Sequence, residues 1–196
     1  MKAHVRSYCH LDLVSKGEVN AAGLEKLAQT IGKPVGDFVQ QLLDPQTRET
    51  AISLFMAYTI LGTCIVPKGG ESTASYRRWK ALTGTILSEE DPNEVLSMTR
   101  TEILEEIDRV LAPFVLGSLD GGHRRRHLDL MLDQAERLII LLFSQPGAYR
   151  LDYGLDGRTI LPPFPSLLQT ADEKRALDFP RVLVGTEDGD WWYLAE

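Results

Sequence analysis

Apolar residues recur at helical spacing through most of the first three quarters of the chain. Leu24, Leu27 and Ile31 line one side of a short segment, Gly32-Lys33-Pro34 interrupts it, and Val35, Phe38, Val39, Leu42 and Leu43 line the next. That pattern predicts two helices folded back on each other through a tight turn, an αα corner. Asp44-Pro45 places a cap residue before a proline suited to the first helical position. It opens a helix that runs into "AISLFMAYTILGTCIV" (51–66) and stops near Pro67. As a helix this run reaches about 24 Å, short of a bilayer core of about 30 Å. With Ser53, Thr59, Gly62 and Thr63 among its members, it reads as a central core helix.

Farther along, Tyr76, Trp79, Leu82, Ile86 and Leu87 keep helical spacing. Asp91 to Glu94 and Thr99 to Glu102 have the form of capping boxes. The second leads into a stripe of Ile103, Ile107, Val110, Leu111 and Phe114, with Glu102, Glu105, Glu106 and Asp108 largely opposite. A break at Ser118 to Gly122 precedes a long helix. Leu128, Met131, Leu132, Ala135, Leu138, Ile139 and Leu142 form its apolar face, and Arg125, Asp129, Asp133 and Arg137 step by four along the other.

Beyond Pro146 the period changes. "YRLDYGLDGRTIL" (149–161) alternates around Asp156-Gly157 and predicts a hairpin, "PPFPSLL" (162–168) a stiff extended connection, and "PRVLVGTEDGDWWYLAE" (180–196) two further apolar runs around a turn. The expected fold is therefore mainly α: an irregular helical bundle with a short β-hairpin-containing C-terminal arm. Residues 1–146 form the helical domain, and residues 147–196 an extended or β arm packed on it.

Bulk properties narrow the class. The 196 residues are 43% hydrophobic and 25% charged, ordinary for a globular chain. A net charge of −7 opposes phosphates and anionic lipid at long range. Cys9 and Cys64 form no CxxC pair, which suits buried thiols in a reducing compartment. The first residues lack the apolar core of a signal peptide. These features predict a cytoplasmic or nuclear protein without a membrane partner.

The corner pattern LAxxIGxxVxDFVxxLL resembles the helix-turn-helix of bacterial repressors, and also the small helical unit at the amino terminus of bacterial translation initiation factor two. The resemblance covers about 20 residues, chiefly core positions, and implies contacts with nucleic-acid machinery. A reading helix needs side chains for base edges and cations for phosphates. From Asn20 to Asp44 the charges are Lys26 and Lys33 against Glu25, Asp37 and Asp44. That sum is negative, so the corner reads as scaffold.

Three peripheral clusters carry the remaining chemistry. "GGHRRRHLD" (121–129) puts Arg124, Arg125 and Arg126 at a helix start, where cations oppose the helix dipole. The acidic residues Glu102, Glu105, Glu106 and Asp108 can offset that cost, as can an anionic partner. His123 and His127 have i, i+4 metal-pair spacing, yet intervening arginines and the lack of a third ligand argue against a metal. Arg77, Arg78 and Lys80, interleaved with Tyr76 and Trp79, are a candidate anion or nucleic-acid contact. Trp191, Trp192 and Tyr193 cannot all face one core from a strand, so at least one ring is expected against another surface.

No GxSxG elbow, Walker loop, HExxH or dinucleotide fingerprint is present, so the chain reads as non-catalytic, without cofactor or metal. An enzyme of another kind would need a pocket gathering His123 or His127 with carboxylates. "LIILLFSQPGAYRLDYG", followed by "PRVLVG", resembles the end of some uncharacterised proteins of filamentous fungi, over about residues 100–185. That resemblance implies a piece of a longer polypeptide. The expected role is a protein-interaction or assembly module, with Trp191, Trp192, Tyr193 and Arg124 to Arg126 facing a partner or a second copy. The alternative is a nucleic-acid-associated regulator using the corner and the basic clusters.

Overall fold

The structure, a computed structural model, describes residues 1–9, 14–62, 100–116, 121–145, 147–153, 164–171 and 176–184. Within them the protein is mainly α, with helices α1 (Lys2–Tyr8), α2 (Glu25–Thr30), α3 (Val35–Leu43), α4 (Pro45–Gly62), α5 (Arg100–Leu111) and α6 (Gly121–Ser144). Strands β1 (Ala148–Asp152), β2 (Ser166–Ala171) and β3 (Ala176–Val184) follow.

The corner forms as its apolar spacing predicts. Leu24, Leu27, Ile31, Phe38, Val39 and Leu42 are all buried. Gly32 takes φ +66, the left-handed conformation that glycine reaches without a Cβ clash. Gly32 N–H donates to Gln29 O at 3.2 Å and Lys33 N–H to Ala28 O at 3.0 Å. This pair of bonds is a Schellman closure of α2. Asp44 then caps α4, its Oδ1 accepting from Gln46 N–H at 3.0 Å, and Pro45 takes the first helical position.

Helix α4 is the hub, touching α1, α3, α5 and α6. Ala51 to Ala57, Thr59, Ile60 and Leu61 are buried, so apolar contact surrounds the helix. Arg48 within it has no exposed surface. Its Nε donates to Leu42 O at 2.7 Å and its Nη2 to Leu43 O at 2.8 Å. The charge thus lies at the negative end of α3, with the Phe114 ring 5.4 Å from the guanidinium carbon.

In α5 and the turn that follows it, the predicted stripe of Ile103, Ile107, Val110, Leu111 and Phe114 is buried. Pro113 lacks the N–H an α-helix would need, and the chain tightens into a 3₁₀ turn over Ala112–Phe114. Along α6, Leu128, Leu132, Ala135, Ile139 and Leu142 are buried, and so is Glu136. The carboxylate is held by Arg100 at the start of α5. Nε donates to Oε1 at 2.9 Å and Nη2 to Oε2 at 2.6 Å, while Asp133 accepts from the same Nη2. The charged row expected to pair along α6 is therefore drawn partly to α5. The predicted helix across Tyr76 to Leu87 lies outside the described residues.

The β arm differs from expectation in its pairing. The sheet order is β1-β2-β3, all antiparallel. The partner of β1 is Ser166–Ala171, which the proline-rich spacing assigned in part to a connection; residues 154–163 lie outside the described set. Strand β2 supplies Leu167, which packs with Tyr149 of β1 against Ile139 and Leu142 of α6. Apolar surface on the helix selects that partner. Pro180 lies in edge strand β3 where the register with β2 shifts between Gln169 and Ala171, the kind of position at which strands admit proline. Against the main core lie Leu151, Tyr153 and Phe164. Tyr153 meets Tyr58 of α4 edge-on, with ring centroids 5.5 Å apart.

Candidate functional site

The chemistry of the described residues gathers where α1 meets the first turns of α6. Seven residues are too few for a helix to persist alone in water, so α1 holds its shape by docking. His4 and Val5 are its buried residues. Its exit is fastened by Leu116 N–H donating to Tyr8 O at 2.9 Å and by an antiparallel bridge between Cys9 and Val115. On the solvent side, Arg6 Nε donates to both oxygens of Glu49 at 3.0 Å.

On the inner side His4 Nδ1 lies 2.9 Å from His127 Nδ1. The rings are stacked, centroids 5.0 Å apart and planes at 27°, and Tyr8 flanks both at 4.6 and 5.9 Å. Arg124, one helical turn before His127, donates to Asp108 of α5 at 2.5 Å, and Arg125 reaches the same carboxylate at 3.7 Å. Burial pushes the His4 imidazole down to about 3, helped by the charges of His127, Arg124 and the amino terminus. Cys9 is a free, buried thiol. Burial pushes it up to about 11, against the opposing influence of Arg124.

These groups close on one another. A thiol raised that far is mostly un-ionised at neutral pH and a poor nucleophile or metal ligand. The two Nδ1 atoms occupy each other's lone-pair or proton position. Among the described residues, no group of three or more His, Cys, Asp or Glu side chains is placed to hold a metal ion.

The predicted site residues separate. Arg124 points inward to Asp108, which supplies the acidic offset expected from α5; Glu106 instead pairs with Arg109 on its own helix. Arg125 is half-buried, and Arg126 and His123 are exposed. His127 faces His4, on another helix, through a contact that i, i+4 spacing gives no reason to expect. Arg77, Arg78, Lys80, Trp191, Trp192 and Tyr193 lie outside the described residues. Sequence reasoning missed His4 and Tyr8 as members of the cluster. Their i, i+4 spacing beside Val5 and Cys9 is the signal that marks a docked helical face.

On its outer face α6 exposes Leu130 and Leu141, at 54% and 55% of their full surface, whereas Leu128, Leu132 and Leu142 are buried. Among the described residues no helix is long and apolar enough to cross a membrane. No protein-family model matches this chain, and no curated protein or solved structure does so either.

Proposed function

We propose that this chain is a protein-interaction or assembly module, acting through a surface rather than a reaction centre in the cytoplasm or nucleus. The observation that carries the reading is the outer face of α6. Leu130 and Leu141 stand exposed there, about 16 Å apart along the helix, with Arg126, Gln134 and Arg137 exposed on the same face. In this reading the two leucines are separate apolar anchors and the surrounding polar residues the rim of a contact. The internal pairing of Arg124, Arg100 and His4 supports the same reading, because among the described residues it leaves few convergent groups for catalysis. Trp191, Trp192 and Tyr193 would add aromatic anchors, and Arg125 and Arg126 an electrostatic contact.

Light scattering tests this. The full chain is expected above its 21.9 kDa mass. The double substitution Leu130→Ser/Leu141→Ser, and a chain shortened after Val184, should each return it toward that mass while keeping the helical signal. A full chain that stays monomeric at its highest soluble concentration defeats the assembly reading.

A nucleic-acid-associated role has a narrower basis, the exposure of Arg126 beside half-buried Arg125. It predicts retention on DNA or RNA that falls steeply with salt; no retention at low salt ends it.

A further inference from the structure

Two imidazoles more than a hundred residues apart in sequence meet nitrogen to nitrogen inside the protein. His4 Nδ1 and His127 Nδ1 are 2.9 Å apart, a hydrogen-bond distance that accommodates one proton between the two atoms. His127 is half-buried, whereas His4 is 1% exposed and its ring has no ready contact with bulk water. The groups facing it are mostly cationic or neutral. From α6 come His127 and Arg124, and from its own segment Tyr8 and the amino group of Met1. Asp108 of α5 is already bound by Arg124 and Arg125. Glu49 of α4 pairs with Arg6 on the exposed side of α1. A second proton, taken up by His4, places a new cation away from bulk water and near Arg124.

We propose that α1 is an acid-released latch: when His4 takes a proton, Lys2–Tyr8 undocks from α4 and α6 and uncovers Val5 and Cys9. The helix is suited to such release. It has seven residues, only His4 and Val5 of them are buried, and beyond the helix its exit is held by a single Leu116–Tyr8 backbone bond and the Cys9–Val115 bridge, which must open with it. The Arg6–Glu49 pair that also holds it is largely solvent-exposed, the class of ion pair that adds little. Docking excludes the second proton, with the His4 imidazole held down to about 3 by burial first and by its charged neighbours next. An undocked His4 takes its proton near the ordinary 6.5. The undocked state therefore binds more protons, so acid favours it. The first unit of pH below that value multiplies the undocked-to-docked ratio by about five, and each further unit by about ten.

Cys9, one residue beyond α1, supplies the readout. In the full chain carrying Cys64→Ser, its modification by a dipyridyl disulfide, reactive at acidic pH, is followed from neutrality down to about pH 5, above the carboxylate range. Rates are divided by those of the denatured chain at the same pH. The expected result is a rise of about 16-fold between pH 6.5 and 5, steepening toward about tenfold per unit at the acid end. His4→Asn should flatten the profile whatever its absolute level, because an amide keeps a hydrogen-bonding group beside His127 and takes up no proton in this range. Amide exchange in the unsubstituted protein, corrected for intrinsic rates, should show Val5 to Cys9 opening with acid while α4 stays protected. A flat profile in the parent, an unchanged slope in His4→Asn, or opening of α4 in step with α1 each overturns the latch.

Discussion

Arg48 and Leu42 are joined by a 2.7 Å hydrogen bond from a fully buried guanidinium to the last turn of α3. The same side chain also takes Leu43 O at 2.8 Å, so one residue of α4 satisfies two carbonyls that the end of α3 leaves without helical partners. Arg48→Met retains volume but strands those acceptors. Urea denaturation should show a loss of about 2–4 kcal/mol. Arg48→Lys should recover part of it, since an ammonium cannot reproduce the planar fork. A loss under about 1 kcal/mol would mean that water replaces the guanidinium without penalty.

Ion pairs at different depths should behave differently. Glu136, at 3% side-chain exposure, accepts two bonds from Arg100, whereas Arg6 in the Arg6–Glu49 pair is 69% exposed. Glu136→Gln is expected to cost about 2–4 kcal/mol with weak salt dependence. A double-mutant cycle on Arg6 and Glu49 should return under about 1 kcal/mol, shrinking as salt rises. Equal, salt-sensitive losses at both sites would contradict the burial assigned to Glu136.

Two glycines are required for different reasons. A Cβ at Gly23 would overlap Val110 Cγ2 and lie 3.2 Å from Glu106 Oε1, so Gly23→Ala must push its 3₁₀ turn away from α5. The expected cost is about 1–3 kcal/mol. Gly32→Ala meets open space but a φ of +66, and should cost about 1 kcal/mol from backbone strain. Gly17→Ala, with nothing within 4 Å, is the control. Thermal melts rank the three, and a Gly23 variant as stable as the Gly17 one contradicts the close approach.

Stability should trace a plateau against pH. His4 is neutral in the folded state down to about 3, while the unfolded chain takes its proton near 6.5. Acid therefore removes stability below 6.5, by up to about 1.4 kcal/mol per unit. Cys9 runs the other way. Its folded value is raised to about 11 from 9.0, so its contribution is full below 9.0 and declines as pH rises toward 11. Denaturant midpoints should fall on both sides of the plateau. His4→Asn should relieve the acid limb, and Cys9→Ala the alkaline one. Limbs unchanged in those variants would assign them to other groups.

The helical part of the molecule was legible because local chemistry and burial agree there. Asp44-Pro45, Gly32 and the stripe from Ile103 to Phe114 are short-range signals, and each buried face follows its own periodicity. The β arm was less legible. Alternation in Tyr149 to Asp152 announces a strand without naming its partner, and the choice of Ser166–Ala171 depends on apolar surface offered by Ile139 and Leu142. In the candidate site, the offset of Arg124 by an acidic residue of α5 was foreseen as one of two possibilities. The meeting of His4 with His127 was not, because no local pattern relates positions 123 apart.

Residue order alone thus determined the helices, their caps and the stripes they bury, since these depend on neighbours within a few positions. Which charged and aromatic groups touch was decided by tertiary packing. The burial of Glu136 under Arg100, of Arg48 against the end of α3, and of His4 against His127 each joins separate elements. Water withdrawn from those contacts is what turns ordinary side chains into a latch, a cap and a clamp, and only the assembled fold withdraws it.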